Sequence, residues 1–167
     1  MKKILVINLY SGPYTPTTYL KGKIQSFIKE KCGVQAIMLN EYKGPFEMSN
    51  ALDKQKEGTI IITETPVLMN LVFNDKYDAE SKYKIMLNHK KYDSINILVK
   101  MQRPLISLID SYNKVESFNP DLDHALEIDD KIKKELTSNI DFEFIFTEKE
   151  NILSEISTKI IQTFPKI

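Results

Sequence analysis

Leu9-Tyr10-Ser11-Gly12-Pro13-Tyr14-Thr15-Pro16-Thr17-Thr18 joins two runs of different period, and its reading decides the fold. Before it, Ile4 to Leu9 is a continuous apolar run suited to a buried parallel strand. After it, Leu20, Ile24, Phe27 and Ile28 recur at helical spacing. That run ends at Lys31-Cys32-Gly33, where the glycine suits the position just past a helix end. Strand, turn and helix in this order aim backbone N–H groups and a positive helix end at an anion. A working phosphate loop of this kind reads G-x-x-x-x-G-K-[ST]. Counted from Gly12, Pro16 stands at the second glycine, Thr17 at the lysine and Thr18 at the hydroxyl. The frame of a phosphate cradle is present, with two of its working parts replaced.

Outward from that turn the chain alternates strands and helices. Val34 to Leu39 reads as a second strand ending in Asn40-Glu41-Tyr42, and Met48 to Lys56 as a short polar helix closed by Gly58. Thr59 to Thr63 is β-branched throughout, the pattern of a strand covered on both faces. Thr65 and Pro66 suit the start of a helix carrying Val67, Leu68, Leu71 and Val72. Asp78 suits the cap of another, with Tyr83, Met86 and Leu87 on its apolar side and lysines on the other. Ser94 to Met101 reads as the fourth strand, and 104–122 as a lid-like segment beginning at Pro104. A helix from Asp121 or Asp123 to about Leu136, a strand from Ile140 to Phe146 and a helix through Ile152, Leu153, Ile156, Ile160 and Ile161 complete the pattern. The expectation is one α/β domain over 1–167, a three-layer sandwich around a five-stranded, mainly parallel sheet.

Composition narrows the partners. Lys plus Arg and Asp plus Glu both number 23, so no overall field draws the chain to nucleic acid or an anionic membrane. No stretch approaches the roughly 18 apolar residues of a spanning helix. Met1-Lys2-Lys3 and the apolar residues after it read as the first strand, since no small-residue cleavage site comes after them. The single Cys32 cannot form an internal disulfide, which suits a reducing cytoplasm. His89, among Asn88, Lys90 and Lys91, reads as a surface residue.

Ligands of parallel sheets bind beyond the carboxyl ends of the strands. Gly12 to Thr18, Glu41, Glu64 and Arg103 all fall at or just past such ends. Each has a plain reading beside the functional one. Thr17 and Thr18 bind phosphate or metal through their hydroxyls, or simply cap the helix. Glu64 holds a cation, or caps Thr65-Pro66. Glu41 lines a pocket with Tyr42, or ends a strand in solvent. Arg103 meets a phosphate, or pairs with Glu64 or Glu41. Lys21 and Lys23 are expected to project from the first turns of the helix, away from its N-terminus.

The order of these pieces resembles the phage-type deoxynucleoside monophosphate kinases within the P-loop nucleotide kinase group. Ile7-Asn8-Leu9-Tyr10-Ser11-Gly12-Pro13 resembles the family's first strand and loop opening. Asn40-Glu41-Tyr42 resembles its Thr-Glu-Tyr, Ile62-Thr63-Glu64-Thr65-Pro66 its Ile-Thr-Asp-Ser-Pro, and Ala125-Leu126-Glu127-Ile128-Asp129 with Ile132 the start of its penultimate helix. The resemblance implies a P-loop kinase-like fold, phosphate binding by Gly12, Pro13, Thr15, Thr17 and Thr18, and magnesium on Thr18 and Glu64. It also implies catalytic roles for Glu41 and Arg103, ATP and Mg2+ as cofactors, and a phage-encoded protein in a bacterial cytoplasm. The departures are Tyr14 and Pro16 for loop glycines, Thr17 for the lysine and no Gly-Arg pair in 115–123. Pro16 removes an N–H donor, and Thr17 removes the charge that stabilises a transferring phosphoryl group.

Three functions stand as expectations. The first is a kinase-like pseudoenzyme without ordinary phosphoryl transfer, acting through residual nucleotide binding or a protein partner and needing no cofactor. The second is an active deoxynucleoside monophosphate kinase with an atypical loop. The third is a flavodoxin-like FMN-binding protein, whose Ser/Thr-rich loop Thr15-x-Thr17-Thr18 fits superficially.

Overall fold

The structure is a computed structural model describing residues 3–11, 17–39, 45–64, 66–69, 77–99, 127, 130–134, 144–146 and 152–163. The strands are β1 (Leu5–Ser11), β2 (Ile37–Met38), β3 (Ile60–Thr63), β4 (Asp93–Val99) and β5 (Phe144–Phe146). The helices are α1 (Thr18–Cys32), α2 (Pro45–Asp53), α3 (Ala79–Lys90) and α4 (Ile152–Thr163), and 130–134 is also helical.

The strands form one sheet in the order β2-β3-β1-β4-β5, with every pairing parallel. β1 lies at its centre. It runs beside β3 from Leu5↔Ile60 to Asn8↔Thr63, and beside β4 from Leu5↔Asp93 to Ser11↔Val99. The α/β architecture with a parallel sheet is thus as the alternating pattern requires.

Strand alternation sends the apolar side chains of β1 both ways. Ile4, Val6 and Tyr10 pack with Met48 and Leu52 of α2, Ile85 of α3 and Ile132. Leu5, Ile7 and Leu9 pack with Ile24 and Ile28 of α1 and with Ile156 and Ile160 of α4. The sheet is therefore covered on both faces, which explains the unbroken apolar character of β1 and β3. Full burial of each such side chain contributes about 1.5–3 kcal/mol.

Local chemistry sets the helix ends. Gly33 has φ 68°, and its N–H donates to Lys29 O, closing α1 in the left-handed conformation. The Asp78 side chain accepts from Ser81 N at 2.7 Å and caps α3, a contact that lowers the Asp78 pKa.

The buried face of α3 agrees only in part with the one read in the sequence: Met86 packs against the core as expected, but Tyr83 and Leu87 do not. Ile85 and His89 are its buried residues, whereas Tyr83 and Leu87 are 65% and 48% exposed. Lysines flank both stripes, so composition does not choose between them. Packing does, since Ile85 joins Val6 of β1 and Tyr92, just before β4, in one core cluster. Instead of lying at the surface, His89 is 6% exposed, and desolvation together with the neighbouring Lys90 charge lowers its pKa to about 4.

Val67 and Leu68 are buried at a turn in which Met69 N donates to Pro66 O. The remainder of the helix expected there, and the lid-like segment 104–122, lie outside the described residues. No helix of the described residues is long and apolar enough to cross a membrane.

Candidate functional site at the carboxyl ends of β1 and β3

Because β1 and β3 are parallel neighbours, the segments leaving their carboxyl ends emerge at the same edge of the sheet. Thr63 stands opposite Asn8, and Glu64 comes immediately after it. The crossover from β1 returns as α1, whose N-terminus opens at Thr17. Topology alone thus brings Glu64 to the first turn of α1.

Thr17 occupies the N-cap position with φ −102° and ψ −13°, but its side chain makes no capping hydrogen bond. Its hydroxyl Oγ1 donates instead to Glu64 Oε1. This overturns the capping reading of Thr17. In a helical backbone conformation the hydroxyl is poorly aimed at the N–H groups of its own helix, and a carboxylate is the stronger acceptor. Thr17 is itself buried.

Lys21 lies one turn further on, its N–H donating to Thr17 O at 2.8 Å. Its ammonium Nζ lies 3.1 Å from Glu64 Oε2. The expectation that Lys21 projects away from the helix N-terminus is therefore corrected. Helical side chains lean towards the N-terminus, residues four apart share a face, and Glu64 supplies the charge that draws the ammonium back. The side chains of Lys21 and Glu64 are only 16% and 25% exposed. A pair so sheltered is screened less by solvent than an ordinary surface pair.

Both carboxylate oxygens of Glu64 are engaged, one by a hydroxyl and one by an ammonium. The first turn of α1 contains no acidic residue, and among the described residues Glu64 brings a carboxylate to this positive helix end. Among the described residues no three His, Cys, Asp or Glu side chains gather into a metal-holding group. Magnesium, however, commonly takes one or two carboxylates and completes its shell with water and substrate phosphate. Glu64 and the Thr17 hydroxyl are the oxygen groups at this helix end, and among the described residues they form no freestanding metal centre.

The remaining sequence candidates divide simply. Thr18 begins α1. Gly12, Pro13, Thr15, Glu41 and Arg103 lie outside the described residues. Lys21 is the site residue that sequence reasoning set aside. Its signal was the four-residue spacing from Thr17, which puts both on one helix face.

A second polar group lies midway along the sheet, on its α2 and α3 side. Asn8 Nδ2 donates to Asn96 Oδ1 at 3.0 Å, and Tyr10 OH donates to the same oxygen at 3.4 Å. Tyr10 is fully buried, which raises its pKa by desolvation. This group satisfies polar atoms within the core and is separate from the strand-end cluster.

The chain matches no protein-family model and no curated protein.

Proposed function

We propose that this chain is a nucleotide kinase-like protein that receives nucleotide phosphates at the carboxyl ends of β1 and β3 without carrying out ordinary ATP-dependent phosphoryl transfer. The observation that carries the reading is the convergence of Thr17, Lys21 and Glu64 at the N-terminus of α1. It provides an ammonium, a hydroxyl and a carboxylate at the carboxyl ends of parallel strands, where ligands of such sheets commonly bind.

The reading of weak or absent catalysis has a physical basis. A neutral hydroxyl stands where the loop frame calls for a cation, and the Lys21 ammonium one turn further on is paired with Glu64. Loss of one such transition-state contact costs a factor of about 100 to 1,000 in turnover. P-loop kinase-like ancestry is part of this proposal, supported by the motif order and the parallel sheet.

The test pairs binding with turnover. Thermal unfolding is followed with nucleoside mono- and triphosphates and magnesium, and ADP release is followed with ATP and each deoxynucleoside monophosphate. The expected result is stabilisation by at least one nucleotide and ADP release at background. No stabilisation by any nucleotide would overturn the nucleotide-binding reading in favour of a protein partner.

Lys21 also gives the active-kinase reading an observation of its own, since its ammonium reaches Glu64 at the N-terminus of α1. Measured turnover would decide for it. The flavodoxin-like reading draws no such support, because that fold orders its strands 2-1-3-4-5 and this sheet is β2-β3-β1-β4-β5.

A further inference from the structure

We infer that the small cavity beneath α3 is a hydration site holding one internal water, which bridges Asn8 of β1, Ser94 of β4 and His89 of α3.

The cavity lies on the sheet face covered by α2 and α3. Val6, Leu52 and Val67 give it apolar walls, and Asn8, His89 and Ser94 give it polar ones. Strand register and helix period bring the polar groups together. Val6 stands opposite Ser94 and Asn8 opposite Asn96, so Asn8 and Ser94 lie diagonally across neighbouring parallel strands on one face. Ile85 and His89, four residues apart, form the buried side of α3 above them.

Size fixes the class of ligand. The centre of a water-sized sphere has about 10 Å3 in which to move, which is room for one water. A phosphate, a sugar or a base does not fit there. Cavities that stay empty are apolar, whereas a polar one of this size keeps a water that makes about three hydrogen bonds.

The hydrogen bonds of the walls call for such a molecule. Asn8 is 3% exposed, and among the described residues its side chain makes one hydrogen bond, from Nδ2 to Asn96 Oδ1. Its own Oδ1 is an acceptor, and an acceptor so deeply buried is costly to leave dry. Ser94 Oγ accepts from Asn96 Nδ2 at 3.4 Å and keeps its hydroxyl proton for donation. The His89 imidazole, whose Nε2 is buried, supplies the third side. Desolvation, helped by the Lys90 charge, lowers its pKa to about 4, so at neutral pH the ring meets the water uncharged. A water that donates to Asn8 Oδ1, accepts from Ser94 and bonds the imidazole reaches the usual three. It thereby ties α3 to the two strands beneath it.

Two magnetic resonance measurements on the whole chain test this. The sign of the nuclear Overhauser effect from water separates a molecule held longer than protein tumbling from surface hydration. The wild type is expected to show the long-lived sign at the Val6 methyls and the carbon-bound ring protons of His89. Oxygen-17 relaxation dispersion counts long-lived waters without interference from exchanging hydroxyl protons. Val67→Ile adds a carbon at the apolar wall, and Ser94→Val replaces the hydroxyl with a methyl. Each is expected to remove the Overhauser effects and to lower the dispersion amplitude by about one water.

A wild type whose Overhauser effects are absent, or carry the sign of surface hydration, would overturn the inference whether or not either variant folds. So would a folded Ser94→Val or Val67→Ile protein that retains both the effects and the full dispersion amplitude.

Discussion

Asn8 and Asn96 face each other across the β1–β4 register, joined by Asn8 Nδ2 donating to Asn96 Oδ1 at 3.0 Å. Both are buried, and the Asn96 amide also donates to Ser94 Oγ at 3.4 Å. Asn8→Ala removes one donor from this chain and leaves a buried acceptor short of a partner. A loss of about 1–3 kcal/mol is expected, measured as a fall in the urea midpoint at constant slope. The double variant Asn8→Leu with Asn96→Leu should cost less than the sum of the single changes, since it leaves neither amide behind.

His89 makes stability pH-dependent. Burial lowers its pKa from 6.5 to about 4, so the fold favours the neutral ring while the unfolded chain takes up the proton first. Its contribution is complete above pH 6.5 and is lost as pH falls from about 6.5 to about 4. That interval corresponds to about 3 kcal/mol. Urea unfolding of the wild type and His89→Gln across this range is the measurement. The variant should show a shallower decline with acidification, and equal slopes would remove His89 as the cause.

Opposite signs are expected at two glycines of α1. Gly22 is exposed within the helix, and an added methyl there meets nothing within 4 Å. Gly22→Ala should stabilise by up to about 1 kcal/mol. Gly33 is equally open, but its φ of 68° makes Ala strained, so Gly33→Ala should destabilise by about 1 kcal/mol. Calorimetric midpoints of the two variants should move in opposite directions.

At the junction of α2 and β4, Asp53 Oδ1 accepts from Lys91 Nζ at 2.6 Å and from the Tyr92 hydroxyl. The two contacts are unequal. The Lys91 and Asp53 side chains are 48% and 41% exposed, so Lys91→Ala should change stability by less than about 0.5 kcal/mol. Tyr92 is buried, and both burial and Asp53 raise its pKa, so Tyr92→Phe should cost about 1–2 kcal/mol. A larger loss from Lys91→Ala than from Tyr92→Phe would contradict this ranking.

Local period and capping made part of the fold legible in the sequence. Ile4 to Leu9 carries the signature of a strand buried on both faces, Gly33 that of a left-handed helix end, and Asp78 that of a cap. Ile24 and Ile28 are fully buried, as their spacing requires. The features that stayed hidden depend on partners distant in the chain. Thr17 reads as a cap until Glu64, 47 positions away, offers its hydroxyl a better acceptor. Lys21 reads as a solvated lysine until the same carboxylate is placed beside it. His89 is masked by Asn88, Lys90 and Lys91, although its four-residue spacing from Ile85 marked the buried face. The roles expected for Glu41 and Arg103 fall on positions outside the described residues.

The central place of β1 has a consequence for biogenesis. This strand leaves the ribosome well before β4, its longest-paired neighbour, which is not complete until Val99 has been made. Until then one flank of an apolar ribbon has no hydrogen-bonding mate, and closing the sheet requires a large loop to form first. Nascent chains halted before β4 should therefore depend on chaperones, whereas chains released just beyond it have the means to protect themselves.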